Sequence, residues 1–449
     1  MAASRMPEII SNGLVEDIAF RTRRRVMRRF LPFLILTYLL AYLDRANLSV
    51  AKLQMQGELD FTDAVVGFGA GVFFLGYFLL EVPGSLIVER WSARKWFARI
   101  MMSWGVIAAL TGLIGMLPLV HISSRGQFYA ARFLLGAAEA GFFPGVIVYL
   151  SHWFRYADRT RAKAWFMMTQ PLAIVVGTPV SRWILENAHA HGLPGWRWVF
   201  ILEGLPPIFM GAVALFYLTD RVQQARWLHP DEKQWLIGEL AREEREKIAR
   251  GRVRILDAFR QPQTALLIVI LFLVITSNQA LLFFLPSITE NLKGLTVAAR
   301  TAAATAPYVF SVAGILVNGF WSSRTGERRW HTAGPMLATS VVLACVIFAG
   351  SNVPLMIVLL CVLGLTFQAW LPVFWTFPTA FLGQSAAAAA IGTINSVGNL
   401  GGFVGPYMFG HLRTVTGRYE AGLWLSAGCM LLAGLLASQI RVECKHKEL

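Results

Sequence analysis

Apolar residues in this chain gather into long runs. Twelve runs hold about twenty residues each, the length at which an α-helix spans the ~30 Å hydrocarbon core of a bilayer. They fall, to within a few residues, at 30–50, 64–88, 96–117, 126–150, 161–186, 198–219, 263–286, 299–322, 332–350, 353–377, 386–411 and 420–440. The series breaks once. Residues 220–262 are charged, and the run Ala241-Arg-Glu-Glu-Arg-Glu-Lys-Ile-Ala-Arg250 keeps helical register, as a surface amphipathic helix does. The pattern predicts an all-α polytopic membrane protein. It has a cytoplasmic N-terminal tail (1–29), a six-helix bundle (30–219), a cytoplasmic linker (220–262), a second six-helix bundle (263–440) and a cytoplasmic tail (441–449).

Composition agrees with this class. Of 449 residues, 56% are hydrophobic and 15% charged, against roughly 45–50% and 25% in soluble domains. The formal charge of +15 would suggest nucleic acid in a soluble protein, but its location excludes that reading. Thirty Lys and Arg lie in segments expected inside and seven, Lys52 among them, in segments expected outside. That imbalance predicts cytoplasmic N- and C-termini, with basic loops against anionic membrane lipids and no nucleic-acid partner. The polar, basic first 29 residues precede a run too long for a leader's apolar core, so no cleavable leader is expected. Cys345, Cys361, Cys429 and Cys444 have no metal or redox spacing. Metalloprotease, nucleophile-elbow and P-loop motifs are absent. The expectation is no enzyme, no cofactor and no metal.

Chemistry enters with ionised residues inside the apolar runs. Asp44 and Arg45 are adjacent in the first run, where each costs roughly 2.5–3.5 kcal/mol at a helix centre. Helix neighbours point about 100° apart, so the two should serve different partners, facing a cavity where something is bound or moved. In the fourth run Arg132 and Glu139 share a face but stand roughly 10 Å apart along the axis, too far for a direct pair. Arg45 offers a bidentate fork for a substrate carboxylate, with Arg132 as the second candidate. For Arg132 and for Arg182 in the fifth run, the alternative is snorkelling at the interface. Glu139 and Asp44 read as proton carriers, because a carboxylate in low dielectric retains its proton more readily. The alternative for each is a structural ion pair.

Other positions supply walls. Tyr77 lies in a glycine-bearing second run, and Gln170 precedes Pro171. Trp375 lies between Pro372 and Pro378, a spacing that predicts a broken helix. Asn395 and Asn399 share a helix face among Gly398, Gly401, Gly402 and Gly405, glycines suited to close helix packing. Glu81 precedes Val82-Pro83 near the cytoplasmic end of its run. It reads as an inner-gate charge paired with a basic residue of a cytoplasmic loop.

The two halves repeat a loop, Glu89-Arg-Trp-Ser-Ala-Arg-Lys95 and Ser323-Arg-Thr-Gly-Glu-Arg-Arg329, at equivalent turns. Together these features resemble the major facilitator superfamily. Ser85 and Ser92 replace glycines of that family's loop signature, Glu89 its first Asp and Ser323 its second. Several motifs resemble one branch, the anion:cation symporters. They are Tyr42-Leu-Asp-Arg-Ala-Asn-Leu-Ser49, Phe73-Phe-Leu-Gly-Tyr77, Glu81-Val-Pro83, Arg132 through Pro144, Phe374-Trp-Thr-Phe-Pro378 and Ile394 through Pro406. Trp227-Leu-His-Pro-Asp-Glu-Lys233 is similar to the bacterial tartrate/phthalate-type subgroup. The resemblance implies proton-coupled uptake of an organic anion such as tartrate, a sugar acid or an aromatic carboxylate. It implies Asp44 and Glu139 as proton carriers, and Tyr77 and Gln170 in the cavity.

The expected protein is thus a symporter of the bacterial inner membrane working by alternating access, taking a small organic anion with protons, as a monomer. The alternatives are an anion exchanger or exporter on the same fold, and a sensor that binds the anion without moving it.

Overall fold

A computed structural model describes residues 6–116, 122–155, 158, 166, 169–249, 262–350, 352–378 and 384–440. Among these the chain is helical, with no strand. The elements of the first half are α1 (Met6–Leu59), α2 (Asp63–Arg90), α3 (Ala93–Thr111), α4 (Ser124–Glu139), α5 (Phe142–Ser151), α6 (Thr169–Asn187) and α7 (Gly195–Tyr217). Helix α8 (Pro230–Ala249) forms the linker. The second half comprises α9 (Pro262–Glu290), α10 (Val297–Thr325), α11 (Arg329–Ala349), α12 (Val353–Phe367), α13 (Leu371–Phe374), α14 (Gln384–Gly398), α15 (Gly401–Thr416) and α16 (Glu420–Ala437). Helices α4 with α5, α12 with α13 and α14 with α15 are interrupted columns. The described elements therefore make twelve columns and one linker helix.

Local chemistry sets many of the boundaries. Thr62, Ser92, Ser123, Thr296 and Asn352 accept hydrogen bonds from backbone N–H groups of the first turns of α2, α3, α4, α10 and α12. Gly326 and Gly417 end α10 and α15 in the left-handed conformation. Nine described segments are long and apolar enough to cross a membrane. The other columns miss that standard for local reasons: α3 opens with Arg94, Lys95 and Arg99, α6 carries Arg182 and Glu186, and the α14–α15 column is broken.

The first helix departs most from expectation. Residues 6–29 run into the first span without a break, because α1 is continuous over 54 residues. At 1.5 Å per residue it measures about 80 Å, so its basic N-terminal part projects beyond a bilayer core. There Arg21 and Arg25 pair with Asp231 and Glu232 of α8, and Arg23 with Asp158. Lys52, expected in an outer loop, lies inside α1 and is fully buried. The C-terminal tail, Cys444 and the loop 250–261 lie outside the described residues.

The halves meet where α2 packs on α15, α1 on α9 and α6 on α10. The glycines of α15 serve two faces: Gly401 and Gly405 pack within the second half against the α9 backbone at Phe272 and Thr276, and Gly402 meets the Phe74 ring of α2 across the seam. Along α1, α2 and α4, inside the first half, lie the ionised residues singled out above.

Candidate functional site

The site begins with a crossing that only small residues allow. A Cβ on Gly136 of α4 would strike the Phe73 carbonyl of α2, and one on Gly76 the Phe133 carbonyl of α4. One turn on, α4 ends: Gly141 adopts φ +84°, and a Cβ there would lie 2.8 Å from Gly84 Cα. The break leaves Glu139 as the last residue of α4, near carbonyls that carry the negative end of the helix dipole. A buried carboxylate there calls for a cation, and Arg45 of α1 provides it.

Arg45 grips Glu139 in a fork. Its Nη2 donates to Oε1 at 2.5 Å and its Nε to Oε2 at 3.4 Å. The guanidinium also lies 4.9, 5.2 and 5.3 Å from the ring centres of Tyr42, Phe73 and Tyr77. The pair is thus held in a nearly closed aromatic box, where charge–charge attraction is far less screened than in water. Asp44 turns elsewhere, as the helical offset requires. Its Oδ1 accepts from Asn47 Nδ2 at 3.2 Å, while Oδ2 has no described partner.

Arg132 is fully buried, eight residues or about 12 Å into α4. This excludes interfacial snorkelling. It lies near enough to act electrostatically on Asp44 and Glu139, and 5.2 Å from the Phe73 ring. Among the described residues nothing accepts from its three guanidinium nitrogens.

The remaining positions lie around this core. Tyr77 is buried beneath Arg45, and Gln170 is half-buried at the start of α6. Trp375 follows the short α13, half-buried, with its ring 5.3 Å from Phe374. Asn399 sits at the break between α14 and α15. Among the described residues Glu81 pairs with no basic loop side chain. Its carboxylate accepts from Asn395 Nδ2 at 3.0 Å and Ser396 Oγ at 3.2 Å, joining α2 to α14 across the halves. Burial on the inter-half face, against α14, explains the difference.

Charges also cross the seam at the end remote from α8. Arg182 binds Glu186 at 2.6 Å and Glu290 of the second half at 2.9 Å, and Arg300 binds Glu290 at 3.0 Å. Lys52 stands 3.5 Å from Asp63 and 3.7 Å from the Phe284 ring centre. Arg182 is therefore tied into an inter-half ion pair, contrary to a snorkelling role.

One acid of the core lies outside the residues singled out from sequence. Glu203 of α7 is buried, and its Oε1 accepts from Ser181 Oγ of α6 at 2.7 Å. Asn47 lies against it, and Asp44 acts on it from α1. An acid within the apolar run 198–219 is the same signal that marked Asp44.

The pattern of the Major Facilitator Superfamily matches residues 34–406. A protein of Agrobacterium vitis named "Putative tartrate transporter" is 40% identical over 425 residues, covering 94% of this chain and 94% of its own. A Pseudomonas putida protein named "Putative metabolite transport protein NicT" is 38% identical, covering 96% and 98%. The Escherichia coli inner membrane transport protein RhmT is 35% identical, covering 97% of each. Among solved structures, a D-xylose-proton symporter superposes with a TM-score of 0.72 at 15% identity, over 94% of this chain and all of its own. A bacterial homologue of the human lysosomal transporter Spinster, inward-facing and occupied, gives 0.70 at 16% identity, over 91% and 94%.

Proposed function

Because the chain belongs to the major facilitator superfamily, and so is a multi-pass membrane transporter and not an enzyme, we propose that it imports a small organic anion together with protons. The observation that carries this reading is the Arg45–Glu139 fork. One guanidinium is the natural grip for a substrate carboxylate, and one carboxylate now occupies it. A proton on Glu139 removes the charge that holds Arg45 and frees the fork for the substrate. Proton and anion are then linked through a single side chain, and the linkage is reciprocal. The buried guanidinium of Arg132 offers a second charge to the same anion.

The roles follow. Glu139 and Asp44 carry protons. Arg45 and Arg132 bind the carboxylate, with Tyr77 and Gln170 from the first half and Trp375 and Asn395 from the second closing around the anion. The halves rock about the site, first exposing it to one side and then to the other. An anion entering a negative interior climbs about 2.3 kcal/mol per charge per 100 mV, and protons in excess of its charge reverse that sign. The substrate class is tartrate, a sugar acid or an aromatic carboxylate, and the name of the Agrobacterium relative supports the first of these. The membrane is the bacterial inner membrane, in line with the name of the E. coli relative. Both termini and α8 are cytoplasmic, as the thirty-to-seven distribution of basic residues favours. The protein works as a monomer.

The test is uptake into proteoliposomes of labelled tartrate, sugar acids and aromatic carboxylates under an inward proton gradient, with Glu139→Gln in parallel. The expected result is gradient-driven accumulation by the wild type and exchange alone by the variant. Equal accumulation by both would remove Glu139 from coupling. Wild-type uptake indifferent to the gradient would overturn symport in favour of exchange.

A further inference from the structure

Acids outnumber bases in the cluster around Asp44. Its cations are Arg45 and Arg132 and its carboxylates Asp44, Glu139 and Glu203, all but closed off from solvent, while buried Glu81, Lys52 and Arg197 have partners elsewhere. Glu139 is matched by Arg45. Arg132 faces Asp44 and Glu139, but no described basic side chain pairs with Glu203. The groups facing Glu203 are Asp44 and Asn47 from α1 and Ser181 from α6. Helix α3 packs its backbone at Gly105 and Ala109 against the adjoining Gly204. For an ionised carboxylate in that setting Ser181 serves Oε1, and the one other donor group nearby, Asn47 Nδ2, is already given to Asp44; an unpaired buried charge is far costlier than its neutral acid.

Two unpartnered atoms point to the resolution. Glu203 Oε2 and Asn47 Oδ1 are both buried acceptors without a donor. A proton on Oε2 turns it into a donor, and Asn47 Oδ1 is the free acceptor on the neighbouring side chain. Asn47 already gives its Nδ2 hydrogen to Asp44 Oδ1 at 3.2 Å.

Extending the symport reading of this bundle, we propose that Glu203 and Asp44 share one proton across Asn47, making Glu203 a further proton-holding residue of the carrier. In one state Glu203 is the neutral acid and donates to Asn47 Oδ1, while Asn47 Nδ2 donates to ionised Asp44. In the other the Glu203 O–H bond has broken, its proton has been given up to water entering when the core opens, and Asp44 has taken one proton up from that water. Rotation of the Asn47 amide then offers Oδ1 to Asp44 and Nδ2 to ionised Glu203. The proton count is unchanged between the two states, and the pair carries a single negative charge throughout. An amide suits this place because it presents one donor and one acceptor and exchanges them by a half-turn. Ser181 holds Glu203 Oε1 in both states.

Infrared spectroscopy of the purified full chain tests this without substrate or gradient. The wild type should give a protonated-carboxyl carbonyl band at neutral pH that shifts in heavy water. Glu203→Gln, which keeps the shape and the Ser181 contact, should lose that band, and Glu139→Gln should retain it. Asp44→Asn should move the pH at which the band disappears by about one unit, the scale of two interacting sites. Ser181→Ala should shift the band's frequency without abolishing it. An unchanged spectrum in Glu203→Gln, or an unmoved midpoint in Asp44→Asn, would overturn the proposal. The symport reading stands or falls separately, on gradient-driven uptake by the wild type.

Discussion

Arg182 reaches across the seam to Glu290 at 2.9 Å, joining α6 of the first half to the end of α9 in the second. One turn beyond Tyr77, Glu81 of α2 is held by Asn395 and Ser396. Polar bonds thus join the halves at two levels along the bundle, and a carrier that alternates must release them. The Arg182–Glu290 pair is partly exposed, at 14% and 33%, so it contributes on the order of 0.2–1 kcal/mol. Thr178, one turn before Arg182 and buried, reports on this end. In a Thr178→Cys background, Arg182→Ala should speed modification by a membrane-impermeant thiol reagent, by up to about fivefold for that energy. An unchanged rate would mean the pair does not hold this end closed.

The break after Glu139 depends on a glycine. At Gly141 φ is +84°, and a Cβ would lie 2.8 Å from the backbone of Gly84. Gly141→Ala combines left-handed strain with a backbone clash, so it should destabilise the protein by about 2 kcal/mol or more. Gly392 of α14 has nothing within 4 Å of its Cβ position. There the same change should be neutral or stabilising by up to about 1 kcal/mol. Thermal unfolding in detergent compares the two. Equal midpoints would mean that the α2–α4 crossing relaxes freely.

Much of this architecture is legible in the chain. The twelve apolar runs correspond to the twelve columns, because run length against bilayer thickness leaves little choice. The cost of charge in lipid picks out Asp44, Arg45, Arg132 and Glu139 one by one. Which acid meets which arginine is not legible. Glu139 lies 94 positions from Arg45, and their meeting depends on how α1, α2 and α4 cross. Glu81 shows the same limit, since its partners Asn395 and Ser396 come from the other half. Lys52 reads as an outer-loop residue because apolar character fades after Val50, yet the helix runs on to Leu59 and buries it against Phe284. Glu203 was legible by the rule that marked Asp44. Its significance rests on Asn47 and Ser181, which no spacing links to it.

The linker contacts bear on pH. The backbone N–H of Glu232, with smaller help from His229 and Arg21, holds the exposed Asp231 carboxyl below the usual carboxylate range. A depressed folded value means that the contribution is present above the unfolded value of about 4 and is lost as pH falls through the lower folded one. Docking of α1's basic end on α8 should therefore be constant from about pH 5 to 8 and loosen below about pH 4. Hydrogen exchange of residues 230–249 checks this, corrected for intrinsic rates and compared with Asp231→Asn, in which the step at Asp231 should vanish. A step of equal size in the variant would assign it to other acids.

The Arg45–Glu139 fork admits two meanings that a double variant separates. As a buried pair it is vulnerable to loss of one member, because the other is left charged and unpaired at a cost of about 3–5 kcal/mol. Arg45→Met and Glu139→Leu should each lower the thermal midpoint. The combination Arg45→Met with Glu139→Leu removes both charges at once and should regain most of the stability, since apolar replacement of a buried pair is often neutral. Were the fork only a strut, uptake would return with the fold. In the mechanism proposed, Arg45 grips the anion and Glu139 carries the proton that releases it. The double variant should then be stable and still fail both in gradient-driven uptake and in exchange. A stable double variant that transports would place the anion on Arg132 alone and reduce the fork to architecture.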